Sequence, residues 1–172
     1  MRFKSKFDAR KAIEVLLYIA ARVPDMYKAL KVLYFADLEH LQRYGRQICG
    51  DSYVAMRHGP VPSGAYDLVK LARGEGLGWA DYPIREDFAV QDVTIIPRRE
   101  ANLALLSASD VECLDLAIER VRPLSFGQLR QLSHDAAFAA SDENDYMPLE
   151  SIVRTLPNAA LLLDYLRNGQ GE

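Results

Sequence analysis

An aspartate in the middle of an apolar helical stripe constrains this chain more than any other feature of its sequence. The stretch VLYFADLEH, Val32 to His40, lies in a run that reads as one helix from about Asp25 to Tyr44, stopped by Gly45. At about 100° per residue, Leu30, Leu33, Tyr34, Leu41 and Tyr44 fall on one face, with Asp37 close to its centre and His40 at its edge. A carboxylate in that position must find hydrogen-bonding partners, because burying it unpaired is costly. Whatever packs on this helix has to bring donors to Asp37.

The rest of the chain reads as mainly helical around a small β element. Asp8 can cap a first helix running to about Arg22, which Pro24 ends. After Gly45, the stretch RQICGDSYVAMRHGPVPS alternates β-formers with Gly50 and the Gly59–Pro60 pair, as short extended segments and turns do. Ser63 is placed to cap a short helix, Gly64 to about Ala72, terminated by the GEGLG stretch. Phe88 to Pro97 is rich in β-branched residues and reads as a strand, with a partner near Trp79 to Ile84. Ser109 with Glu112, and Ser125 with Gln128, have capping-box spacing and open helices at Ser109–Val121 and Phe126–Ser133. Pro148 and Pro157 frame the closing helices, the last from Asn158 to Arg167. The expected fold is α+β: one compact domain over residues 1–172, with six to seven helices and a small inserted antiparallel β element. A chain of 172 residues, 49% of them hydrophobic, suffices for such a core.

Composition narrows function. A net charge of −3 and a pI near 5.7 supply no general field for nucleic acid or anionic lipid. Glu14 and Arg22 interrupt the first apolar segment, so it reads as an amphipathic helix and not a leader, and no stretch is long enough to span a membrane. Cys49 and Cys113 have neither metal-site nor disulfide-framework spacing, which places the chain in the cytoplasm.

The candidate chemistry gathers in Asp37, His40, His58, His134 and Asp135. Asp37 and His40, at i and i+3, can reach one metal ion, with His58 or His134 as a further ligand; the alternative is that Asp37 is a buried acceptor served by loop amides or a histidine. Arg57 to Asp67, RHGPVPSGAYD, has a rigidly shaped backbone and reads as a preorganised loop with His58 at its base. No nucleophile elbow, phosphate loop or dinucleotide pattern occurs, so no enzyme and no cofactor is expected. Ser125 to Phe138 could present Arg130 and Gln131 as half of a helix-turn-helix, but Glu112, Asp115 and Glu119 on the neighbouring helix would repel phosphate, which argues against DNA. Nine tyrosines, among them Tyr34, Tyr44, Tyr53 and Tyr66, could form an aromatic binding face.

The run from Lys31 to Lys70 closely resembles the Panacea domain of SocA-like and GepA-like phage-associated antitoxins. The resemblance rests on Leu33, Tyr34, Asp37 and His40, on Gly50, Tyr53 and Ala55, and on Gly59, Pro60 and Val61, with a weaker match from Leu129 to His134. It implies an antitoxin of a two-gene toxin–antitoxin system that neutralises the neighbouring gene's toxin by direct protein contact. One relative delivers its toxin to a protease, which adds a protease as a second implied partner. In that setting Asp37 and His40 become internal fasteners that bond the Arg57–Ser63 loop to the helix and preform a toxin-facing surface. The rival reading remains a metal-binding protein or metal-dependent enzyme built on Asp37, His40, His58 and His134.

Overall fold

The computed structural model describes residues 6–75 and 83–169. Helix α1 (Ala9–Ala20) is capped by the Asp8 carboxylate, which accepts from the Lys11 amide at 3.0 Å, and α2 (Met26–Tyr44) is capped by Asp25 in the same way. Gly45 ends α2 at φ 74°, a left-handed conformation that a side chain would strain. The chain then turns into a hairpin, β1 (Tyr53–Met56) against β2 (Gly59–Pro62), with Tyr53 opposite Pro62 and Met56 opposite Gly59.

Helix α3 (Ser63–Ala72) begins one residue earlier than expected, and Ser63 is not its cap. The Asp51 carboxylate, arriving from before the hairpin, accepts from the Gly64 amide at 2.8 Å and the Ala65 amide at 2.9 Å, and from its neighbour Ser52 at 2.8 Å. A cap contributed from outside the local sequence leaves no local signature.

Gly74, φ 90°, turns the chain out of α3; Gly76 to Gly78 of the GEGLG stretch, and Trp79 to Tyr82 of the expected strand, lie outside the described residues. Ile84 belongs to a single 3-10 turn, Ile84–Glu86. Phe88 to Pro97 is not one strand but a hairpin folded on itself, β3 (Phe88–Gln91) against β4 (Thr94–Pro97), with Asp92 at φ 54° in the turn. Aspartate tolerates that conformation through its short polar side chain, and the β-branched run on both sides of it masked the break.

Helix α4 (Ala108–Val121) has its capping box two residues earlier than Ser109 and Glu112. Ser107 Oγ accepts from the Asp110 amide, and Asp110 Oδ2 accepts from the Ser107 amide. Helix α5 (Phe126–Ser133) has the expected Ser125–Gln128 box. The short α6 (Ala136–Ala139) and β5 (Tyr146–Met147) follow; β5 joins β1 and completes a three-stranded sheet in the order β2-β1-β5. Helices α7 (Leu149–Val153) and α8 (Ala159–Asn168) close the described chain.

Among the described residues, eight α-helices, where six to seven were expected, and two small antiparallel sheets form the expected α+β fold. A further difference lies at α2, which is buried on every side from Ala29 to Asp37 because α1, α3, α4, α5, α7, α8 and β2 all pack on it. Among the described residues, no helix is long and apolar enough to cross a membrane. Replacing Asp51 by alanine strands three amides, two of them at the start of α3. Urea denaturation should show a loss of about 1–3 kcal/mol, and Asp51→Asn, which keeps an acceptor, should lose less.

Candidate recognition site

Asp37 is 1% exposed and its donors come from the chain that follows α2. The Ile48 amide donates to Oδ1 at 2.8 Å and the Tyr53 hydroxyl to Oδ2 at 2.5 Å, so the carboxylate ties α2 to the entry of the β1–β2 hairpin. Burial pushes its pKa up to about 7 against the pull of those two donors, with Asp51 and Asp110 adding to the rise.

His40, fully buried, serves a different joint. Its Nδ1 donates to the Arg46 carbonyl at 2.8 Å, which leaves Nε2 to accept from Ser109 Oγ at 2.9 Å. Ser109 is free for this because the cap of α4 falls on Ser107. Burial lowers the His40 pKa, and the Arg46 carbonyl and Asp110 pull the other way. Beside it, Asp110 meets Lys11 Nζ at 2.8 Å and Arg46 at 3.1 Å, joining α1, the loop after α2, and α4. Burial pushes the Asp110 carboxyl up, but Lys11 and the Ser107 amide outweigh it and hold it below the usual range.

Neither residue fastens the Arg57–Ser63 segment, as the sequence had suggested; Lys31 does. Its ammonium donates to the Pro60 carbonyl at 2.5 Å, while Lys31 itself is 5% exposed and has no carboxylate partner among the described residues. Desolvation alone lowers its pKa to about 7. Gly59, φ 114°, lets the hairpin approach α2 and α5 closely: a Cβ there would sit 2.6 Å from Ser133 Oγ and 3.1 Å from Lys31 Nζ. Val61, half-buried in β2, packs against the core.

Tyr34 and Tyr53 are core residues, not parts of a binding face, and their rings meet edge to face at 5.1 Å. The Tyr34 hydroxyl donates to Asp135, which also caps α6 by accepting from the Phe138 amide at 3.0 Å. Burial raises the Tyr34 pKa, and Asp135 raises it further. Of the other tyrosines singled out, Tyr44 is exposed and donates to Glu112, and Tyr66 is half-buried beneath Lys70. Among the described residues, pattern reading also missed four exposed aromatic residues: Tyr27 and Phe126, 42% and 45% exposed, and Tyr146 and Tyr165. Phe126 stands apart among them: it occupies the first position of α5, where a helical period cannot show that it points outward.

His58, exposed in the β1–β2 turn, sits edge-on to Phe126 at 5.4 Å. His134 stacks on Phe138 at 4.1 Å, and its Nε2 is buried without a hydrogen-bond partner among the described residues. Burial lowers its pKa, with Arg130, Lys31 and His58 adding to the fall. The four residues considered for a metal therefore separate: Asp37 and His40 have their polar atoms bonded within different joints, and His58 and His134 face other rings. Among the described residues, no group of three or more His, Cys, Asp or Glu is placed to hold a metal ion.

The arrangement is that of a scaffold whose polar side chains are spent on internal joints, with an aromatic and basic surface beside them. A family model described as antitoxin SocA-like, Panacea domain, matches residues 30–139, well over half of the chain, and the chain belongs to that family. The matched segment runs from α2 through α6 and contains Lys31, Tyr34, Asp37, His40, Tyr53, the β1–β2 hairpin and Asp135. No curated protein and no solved structure matches the chain. Membership supports an antitoxin role.

The two buried charges on α2 tilt stability in opposite directions with pH. Between its ordinary value of 3.8 and about 7, Asp37 holds more proton in the folded chain than in the unfolded one, so its contribution falls as pH rises. Between about 7 and 10.5 the unfolded chain holds more proton at Lys31, so that contribution rises with pH. Urea titrations across this range should show wild type losing stability relative to Asp37→Asn on the acid side, and gaining relative to Lys31→Met on the alkaline side.

Proposed function

We propose that this chain, acting as one domain over residues 1–172 in the cytoplasm, neutralises a toxin encoded by an adjacent gene through direct protein contact and without catalysis. Membership of the SocA-like antitoxin family is the observation that carries this reading. In it, Tyr34, Asp37, His40, Tyr53, His58, Gly59, Pro60, Val61 and His134 serve recognition mainly by holding the β1–β2 hairpin, α2 and α5 in one fixed relation, so that little ordering entropy is lost on binding.

The state of the nucleophile candidates also favours binding over catalysis. Cys49 and Cys113 are buried and desolvation raises both thiol pKa values, which leaves little thiolate at neutral pH. The basic Lys31 amine is shut beneath the hairpin.

Passing the bound toxin to a protease requires a second face. Leu161 and Tyr165, one turn apart on α8, are 71% and 59% exposed and form an apolar pair outside the segment that matches the family. Such a pair suits contact with a second protein.

Growth of cells expressing the adjacent open reading frame, with and without this chain, tests the main reading. Toxicity relieved by co-expression is the expected result; a toxic neighbour left unrelieved refutes it. Immunoblots of the toxin then separate two mechanisms: its abundance falls on co-expression if the chain is an adaptor for proteolysis, and holds steady if binding alone suffices.

A further inference from the structure

The flank of α5 that meets the β1–β2 turn is unlike the rest of the surface. Tyr27, Phe126 and His58 form an exposed cluster of rings, with Tyr27 edge-on to Phe126 at 6.4 Å and His58 edge-on to it at 5.4 Å. Phe126 and Arg130, at i and i+4, share this flank, and at about 100° per residue the exposed Gly127 follows on its solvent side. Arg57 precedes His58 in the turn. Neither Arg57 nor Arg130 takes part in an ion pair among the described residues.

The chain as a whole carries −3, but on this flank Arg57, Arg130, Arg122 and Lys28, which donates to the Arg122 carbonyl, stand beside only Asp25 and Asp135 among the described residues. Of the carboxylates, Asp25 caps α2, Asp135 accepts from Tyr34 and caps α6, and Asp142, Glu143 and Asp145 lie along the edge of β1 away from β2. Other surface cations have acid partners, as Arg22 has Asp115 and Arg43 has Glu112. Aromatic side chains and arginine dominate the energetic centres of protein interfaces, and unpaired surface cations select for opposite charge.

We infer that this surface, Tyr27, Phe126, Arg130 and the Arg57–His58 turn, is where the chain holds its toxin, and that it takes an acidic segment carrying an apolar anchor. The inference rests on the antitoxin reading and gives it a location and a chemistry. It also assigns work to the buried joints. Lys31 on Pro60, and the close approach of Gly59 to Ser133, fix the turn against α5, so the two halves of the surface are set before the partner arrives. A nucleic acid is the weaker occupant, because α4 presents Glu112, Asp115 and Glu119 and the cations of the flank are few.

Gly127 offers a variant that leaves the fold in place. Nothing lies within 4 Å of a Cβ built there, and glycine is among the poorest helix formers, so a longer side chain is accommodated. A glutamate at this second helical position also suits the helix dipole. The experiment measures growth rescue and the Kd of purified chain for the product of the adjacent open reading frame, with thermal melts as the control for folding. Gly127→Glu, Arg130→Glu and Phe126→Ala should each weaken Kd at least tenfold with melting unchanged, whereas Gly127→Arg should bind as well as wild type or better. Wild-type rescue with all four variants binding within twofold of wild type overturns this surface and leaves the antitoxin reading standing. A wild-type chain that neither binds nor rescues overturns both. Loss of binding by Gly127→Arg equal to that of Gly127→Glu overturns the acidic partner. A labelled single-stranded oligonucleotide bound by wild type and released by Gly127→Glu, with toxin binding unaltered, assigns the surface to nucleic acid instead.

Discussion

Enclosing α2 on every side is the constraint from which the rest of the structure follows. A helix with one apolar face leaves its polar residues in water, but one surrounded by six helices and a strand must satisfy each buried polar side chain from its neighbours. Asp37, His40 and Lys31 all lie on this helix, and each draws a different part of the chain onto it. Asp37 takes the Ile48 amide and the Tyr53 hydroxyl, His40 takes the Arg46 carbonyl and Ser109, and Lys31 takes the Pro60 carbonyl. Tyr34 adds the link to Asp135 at the start of α6. The polar groups of the core therefore determine where the hairpin, α4 and α6 attach.

Such joints have a direct bearing on recognition. Buried hydrogen bonds contribute modestly in net terms but are costly to leave half made, so they favour one arrangement over near alternatives. A hairpin held by Lys31 and α5 held through its neighbours present His58 and Phe126 in contact before any partner is present. Preorganisation of this kind shifts binding free energy from ordering the chain to holding the partner. Asp37 and His40 touch nothing outside the core, so they act on the surface only through the arrangement they hold.

Sequence reading succeeded where the physics is local and failed where it is not. The caps at Asp8 and Ser125, the stop at Gly45 and the extent of α5 were all legible, because each depends on groups within a few residues of one another. The cap on α3 was missed because Asp51 reaches it across a hairpin, and the box on α4 was misplaced because Ser107 and Ser109 have equally suitable partners three residues on. The Asp92 turn was hidden within a β-branched run. At the recognition site, Asp37 was correctly marked as a buried acceptor, but its pairing with the Arg57–Ser63 segment was wrong. Lys31 was passed over altogether, since a lysine one residue from Leu30 reads as the solvated edge of a helix.

By itself the sequence determined the helical class, the placement of most helices and the family, because periodicity, capping chemistry and motif residues act over short spans of chain. Only the tertiary structure decided which buried groups meet, since partners such as Tyr34 and Asp135, or Lys31 and Pro60, are set by how the elements pack and not by their spacing. It also decided which aromatic residues stay outside. Tyr34 and Tyr53 are enclosed by the elements around α2, whereas Tyr27 and Phe126 remain in water because nothing in the described chain covers that flank.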